Sequence, residues 1–269
     1  MEWLARLFDE LVPPRCIGCD AAIARTRPAI CAACSGRLPW WRMVDGCPRC
    51  GSALLRPTDS ETGAAGGRSE GCPGCLANGS ALHVCRTLVR YEAPIDRWVP
   101  AFKDAAGPFG PATPVRLAIE TLADELARRV AGETTQRPDL VVSIPLHPCR
   151  RRQRGFNHAD PIAKRIAREL NRPFSPLLLE RIRDTQRQVS LVGQERRANV
   201  RGAFRSTTPL AATTHVWLVD DVLTTGSTLE AAAEALLEAG AFEVRALTLA
   251  ATLPPRRAPR RKGPYSPGS

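Results

Sequence analysis

VWLVDDVLTTGST, residues Val216–Thr228, runs from four apolar residues through two adjacent aspartates into a hydroxyl-rich loop around one glycine. Apolar residues that are contiguous rather than alternating predict a strand covered on both faces, as in a parallel sheet flanked by helices. Ligands of open α/β sheets bind beyond the carboxyl ends of the strands, and the expected strand end at Val219 leads straight into Asp220 and Asp221. Further on, Ser227 and Glu230 have capping-box spacing, Leu229, Ala233 and Leu236 share one helical face, and Gly240 supplies a left-handed stop. The loop therefore feeds a helix N-terminus.

Thr224, Thr225, Gly226, Ser227 and Thr228 can surround an anion with hydroxyls, backbone N–H groups and the positive end of a helix dipole. In this reading Gly226 removes a side chain that would block close approach. A phosphate alone would be repelled by Asp220 and Asp221. Those carboxylates suit a ligand with a second, hydroxyl-bearing part, because they accept hydrogen bonds from vicinal ribose hydroxyls and help hold Mg²⁺ through water. The residues from Asp220 to Thr228, with Val222 and Leu223 joining the two halves, point to a ribose 5-phosphate; a turn capped for stability alone is the competing reading. No GxxxxGK[ST] is present and the loop lacks GxGxxG, which excludes a P-loop and a dinucleotide fingerprint there.

Outward from this loop, VCRTLVRY (84–91), LVVSIPL (140–146), HVWLVDDV (215–222) and EVRALTLAAT (243–252) read as strands. Helical patterns lie between them at 115–131, 159–171 and 228–239. Strand and helix in alternation predict an α/β fold with an open parallel sheet and right-handed crossovers.

Eight of the ten cysteines come early, as four pairs with two residues between: Cys16/Cys19, Cys31/Cys34, Cys47/Cys50 and Cys72/Cys75. That gap lets two thiolates converge on a tetrahedral Zn²⁺ from a tight turn, and Gly51 permits the close backbone approach the turn needs. Four pairs predict two structural Cys₄ zinc sites; disulfides are the alternative, which the reducing compartment expected of a chain without a secretion signal disfavours. Sequential and cross-braced pairing both remain open, with sequential pairing the default. The zinc region either orders a stretch poor in core residues or presents Arg37, Trp40, Trp41 and Arg42 to nucleic acid. Cys85 and Cys149 stand apart and read as ordinary thiols.

The formal charge is +11, which favours an acidic or phosphorylated partner. Part of it lies in a Pro-rich tail, 253–269, with Arg256, Arg257, Arg260, Arg261 and Lys262 and no acidic residue, expected to be disordered. No apolar run is long enough to span a bilayer, and the N-terminal segment carries Glu2, Asp9 and Glu10, so the chain reads as cytoplasmic. Trp3, Leu4, Leu7, Phe8 and Leu11 form one apolar helical face, stopped by Pro13 and Pro14. RPTDSETGAAGGRSEG (56–71) reads as a loop. The expected organisation is a zinc-binding module over 1–82, an α/β domain over 83–252 and the tail.

VWLVDDVLTTGST resembles the 5-phosphoribosyl-1-pyrophosphate (PRPP) motif of type I phosphoribosyltransferases at every position. Together with the Cys pairs, PLHPCRRRQRGFNHAD (145–160) and TQRQVSLVGQERRANVRGAF (185–204), the chain up to about Thr252 is similar to the ComF family, associated with bacterial competence and DNA uptake. The resemblance implies a pyrophosphate loop at Ser143 to His147, with Pro145, Leu146 and His147 contacting the ligand. It also implies a hood around Arg183, Thr185 and Gln188, and PRPP bound with Mg²⁺. Asp220 and Asp221 would orient the ribose, while Arg150, Arg152 or Arg154 would offset charge on the leaving pyrophosphate. The same arginines could instead form a solvated or DNA-contacting face. Single-stranded DNA and proteins of the competence machinery are the further expected partners. Two residues depart from the family pattern, His158 where Gln usually follows GFN and Cys149 where a basic residue follows PLHP.

Overall fold

The computed structural model describes residues 13–24, 29–42, 45–53, 71–104, 113–183 and 200–253. The N-terminal apolar face, most of the 56–71 loop, Thr185 and Gln188 of the hood, and the tail from residue 254 lie outside the described residues. Six strands are present among them: β1 (Val84–Arg90), β2 (Leu140–Ser143), β3 (Leu179–Arg181), β4 (Phe204–Ser206), β5 (His215–Leu223) and β6 (Glu243–Ala251). The helices are α1 (Ala32–Gly36), α2 (Pro73–Asn78), α3 (Ile95–Asp104), α4 (Pro114–Glu133), α5 (Pro148–Arg154), α6 (Ala159–Glu169) and α7 (Ser227–Glu238).

Strands β1, β6, β5 and β2 form one sheet in that order, every pairing parallel. Alternation along each strand divides their apolar residues between two cores. Val141, Trp217, Val219, Leu247 and Leu249 share one core with residues of α3, α4 and α6, such as Trp98, Leu122 and Ile166. Val142, Val216, Leu218, Val244 and Ala246 meet Leu229 and Leu236 of α7 in the other. An antiparallel pair, β3 with β4, lies apart from this sheet.

Several local expectations change. Strand β5 covers the predicted 215–222 and runs one residue further to Leu223, so both aspartates lie inside the strand and not past an edge at Val219; Asp220, Val222 and Leu223 pair in register with Thr248, Ala250 and Ala251 of the equally long β6. Strand β2 stops at Ser143, short of the predicted 146, and a prolyl residue without an N–H follows at 145. No capping box forms at α7. Gly226 is the N-cap with φ +76°, and Glu230 turns away to accept from Ser80 Oγ and the Ala81 N–H. Helix α3 was not foreseen, although Ile95, Trp98, Val99 and Phe102 bury one face at helical spacing; Pro100 inside it masks the pattern.

The cysteine-rich segment covers the free edge of β1. Trp40 bridges Val89, the Trp41 N–H donates to the Leu88 carbonyl, and the Cys85 N–H donates to the Pro48 carbonyl. An exposed edge strand is thereby given partners. Trp40 and Trp41 are used in this docking, with the Arg129 guanidinium 4.1 Å over the Trp40 ring, so they are not the free stacking platform that the sequence suggested.

Candidate functional site

The carboxyl ends of all four strands of the main sheet meet around one cleft of about 510 Å³. β1 contributes Tyr91, β2 leads into Ile144, Pro145 and Leu146, β5 brings Asp220 and Asp221, and β6 leads into Thr252. Thr224 lines it from the loop before α7 and Thr228 from the first turn of that helix, together with Arg150 and Arg154 of α5 and Arg181 of β3. A cleft at this edge is where open α/β sheets bind their ligands.

Alternation along β5 sends Asp221 to the face that carries α3, where Lys103 Nζ lies 2.6 Å from its Oδ2. Lys103 sits at the end of α3, one residue beyond the buried Phe102, so the unforeseen helix supplies the countercharge. Asp220 Oδ1 accepts from the Asp221 N–H at 2.9 Å. Burial, reinforced by the neighbouring Asp221 charge, pushes the Asp220 carboxyl up to about 7.

Val222 also lines the cleft, whereas the remaining sequence-predicted loop residues do not. Leu223 is buried in the core. Thr225 and Ser227 hydrogen-bond each other through their hydroxyls at 2.9 Å. A Cβ on Gly226 would stand 3.0 Å from the Cys50 carbonyl oxygen, so this glycine makes room for the cysteine-rich segment as well as for a left-handed turn. His147 is the N-cap of α5, its Nδ1 accepting from the Cys149 N–H. Arg152 is exposed and lines a neighbouring cleft with Arg151, Leu177 and Glu180, apart from the aspartates.

Behind the 144–147 loop lies a polar staple that the sequence reading missed. Ser143 Oγ and Asn157 Nδ2 each donate to Asp160 Oδ1 at 2.6 Å, and Asn157 Nδ2 also donates to the Ile144 carbonyl at 3.0 Å. Burial raises the Asp160 carboxyl, with the Ser143 and Asn157 hydrogen bonds working against that rise. The signal was available in GFNHAD, where Asn157 and Asp160 open a helix three residues apart.

His158 is 3 % exposed, and among the described residues neither ring nitrogen has a hydrogen-bond partner. The imidazole lines the cleft, packed edge-on to Phe156 and Phe102. Burial holds it down at about 4, against the pull of the Asp221 charge. Its folded value thus lies below the unfolded value, so the folded state loses stability as pH falls from about 6.5 towards 4. His158→Leu is expected to stabilise the ligand-free protein by about 1–2 kcal/mol at neutral pH, by removing unsatisfied nitrogens from an apolar wall. It should also flatten the acid limb of melting temperature against pH, measured by circular dichroism.

The eight paired cysteines form two clusters, Cys16/Cys19/Cys31/Cys34 and Cys47/Cys50/Cys72/Cys75. Pairing is sequential, and the cross-braced alternative is excluded. A ZnS₄ tetrahedron with Zn–S about 2.3 Å has S···S edges of about 3.8 Å. The Sγ separations of 3.7 Å for Cys19–Cys31, 3.9 Å for Cys47–Cys75 and 3.8 Å for Cys50–Cys72 match that edge. Backbone N–H groups also aim at sulfur, from Cys31 to Cys16 and from Cys72 to Cys47, each at 3.2 Å. At Cys16 burial opposes ionisation, but the N–H groups of Cys31, Gly18 and Cys19 outweigh it and bring the thiol to about 6. Both clusters therefore suit structural zinc, each with four ligands and no open position. Burial pushes the Cys85 thiol up to about 12, which leaves it unreactive.

Residues 157–266 match the phosphoribosyl transferase domain family, and residues 7–76 match the double zinc ribbon domain family. Over 242 residues the chain is 31% identical to the DNA utilization protein YhgH of Salmonella typhimurium, covering 90% of this chain and 99% of that protein. Its identity to competence protein F of Haemophilus influenzae is 28% over 244 residues, covering 88% of this chain and 96% of that one. Among solved structures, the glutamine PRPP amidotransferase of B. subtilis aligns at 20% identity with a TM-score of 0.36, over 55% of this chain and 30% of that chain. Among the described residues, no helix is long and apolar enough to cross a membrane.

Proposed function

Because the chain belongs to the family of DNA utilization protein YhgH and competence protein F, we propose that its carboxyl-edge cleft binds PRPP with Mg²⁺ and transfers the phosphoribosyl group to an acceptor, in the service of DNA uptake. One observation carries this reading: carboxylates, hydroxyls and guanidinium groups from separate elements surround a single cleft at the ends of four parallel strands. Thr224 and Thr228 hold the 5-phosphate at the start of α7. Asp220 and Asp221 accept from the ribose hydroxyls, and the Lys103 ammonium beside Asp221 supplies a countercharge. Pro145 and Leu146 face the pyrophosphate, with Arg150 and Arg154 offsetting its charge. Displacement at C1 of the ribose builds positive charge on the sugar and negative charge on the leaving group, so stabilising charge matters more than a strong nucleophile. Asp220 and Asp221 would help hold Mg²⁺, which would supply further charge neutralisation. A cytoplasmic setting, where thiols stay reduced, is part of this reading.

The test is the melting temperature of the full chain with and without PRPP and Mg²⁺. At about 100 times its dissociation constant PRPP should stabilise by about 2.7 kcal/mol, or roughly 5–10 °C for a chain of this size. No shift at about millimolar PRPP sinks the proposal. Binding without pyrophosphate release across a panel of bases and amines would make the cleft a PRPP sensor. Arg151, Arg152 and Arg154 are exposed along α5, beside the cleft, in a chain of charge +11. If PRPP has no effect, steeply salt-dependent binding of single-stranded DNA would move the function to that face.

A further inference from the structure

The two cysteine clusters stand in different relations to the cleft. The first packs beside Trp40 and α4, with Ile17 and Cys34 against the core that contains Leu122. The second touches the 224–228 loop from two sides. On one side, Ser52 Oγ lies 3.3 Å from Cys50 Sγ and donates to the Thr225 carbonyl at 3.1 Å. The Cys50 carbonyl meets the backbone at Gly226, where no Cβ fits at normal distance. Gly51, with φ +71°, seats the same turn against Leu223, the residue at which β5 gives way to the loop. On the other side, α2 carries Cys75 and runs on to Ser80 and Ala81, both of which bind the carboxylate of Glu230 in the first turn of α7. Both pairs of ligands in this cluster are thus connected to the loop within a few residues.

We propose that the second cluster is a positioning device for the phosphate loop: zinc held by Cys47, Cys50, Cys72 and Cys75 fixes residues 224–228 through Ser52 and Glu230. Zinc retention at that cluster and ligand binding in the cleft then stabilise each other, as linkage requires. The identity of the ligand rests on the function proposed above; the mechanical coupling does not. Ser52 and Glu230 are positioning residues, since neither needs to touch the ligand.

Hydrogen–deuterium exchange on the full chain tests the coupling without any ligand, while native mass spectrometry counts zinc. In Ser52→Ala combined with Glu230→Gln, both zinc ions should be retained. Amides of residues 222–230 should exchange on the order of tenfold faster than in the parent, with those of α6 unchanged. Cys72→Ser should reproduce the loop effect and Cys31→Ser should not. Unchanged loop exchange in the zinc-replete double variant overturns the proposal even if Cys72→Ser fails to fold, and so does an equal effect from the first cluster. In the parent, PRPP with Mg²⁺ should slow zinc release to a chromogenic chelator from one cluster of the two, and the double variant should lose that protection. Faster loop exchange with no effect of PRPP on zinc release upholds the coupling and counts against PRPP as the ligand.

Discussion

Asp221→Asn is expected to abolish the rise in melting temperature produced by PRPP and Mg²⁺ while changing the ligand-free protein little. In the free protein the substitution removes the partner of Lys103, but that side chain is 28% exposed and can return to water. It also relieves Asp220 of the adjacent charge that helps hold its carboxyl near 7. The two effects oppose each other, leaving a net change of about 1 kcal/mol or less. In the complex nothing offsets the loss. A carboxylate hydrogen bond to a ribose hydroxyl contributes roughly 1.5–3 kcal/mol, and the weakened hold on Mg²⁺ adds to it, so affinity should fall by about 100-fold or more. A full shift retained in the variant would remove Asp221 from the site. The pH dependence has a definite sign. Asp220 titrates near 7 when folded and near 4 when unfolded, so its contribution disfavours the folded state progressively as pH rises from about 4 to about 7. Ligand binding needs the ionised form, so affinity for PRPP with Mg²⁺ should strengthen as pH rises through about 7, as calorimetric titration would show.

Gly51→Val should be more damaging than any change in the cleft. A Cβ there would lie 2.5 Å from Cys85 Sγ and 2.6 Å from Leu223 Cδ2, both buried side chains, at a backbone φ of +71°. β-branched residues are strained in that region, and both neighbours would have to shift to admit even a Cβ. The strain and the clash together should cost about 4 kcal/mol or more, against a total stability of roughly 5–15 kcal/mol. A fall in melting temperature of about 10 °C or more, or loss of soluble protein, is the expected result. Gly132→Ala is the control, because nothing lies within 4 Å of a Cβ at that helical position. It should be neutral or stabilising by up to about 1 kcal/mol. If Gly51→Val melts like the parent, the cluster is not seated against the sheet as described.

Much of the fold was legible because its strands are buried on both faces. Contiguous apolar runs such as Val216–Val219 and the helical periodicity of 228–239 report local burial, which depends on near neighbours in sequence. Helix α3 was missed since Pro100 interrupts the pattern, and with it went Lys103. The Ser143, Asn157 and Asp160 staple went unseen for another reason: a hydrogen-bonded set spanning 17 residues leaves no periodic trace. Gly226 has a second role that spacing did not reveal. A glycine in a hydroxyl-rich loop fits an anion cradle from sequence alone, yet its missing Cβ also leaves room for the Cys50 carbonyl, a contact across 176 positions.

By itself, the sequence determined a parallel α/β sheet, two zinc-suited sets of four cysteines and an aspartate pair leading into a hydroxyl loop before a helix. These follow from residue spacing, which local geometry converts directly into faces, turns and ligand sets. Only the tertiary structure decided which cysteines join, that Lys103 pairs with one of the aspartates, and that the second cluster grips the loop from behind. The last two depend on the order and register of β1, β6, β5 and β2. That register arises from the summed packing of two cores, and it brings distant residues together in ways no local spacing encodes.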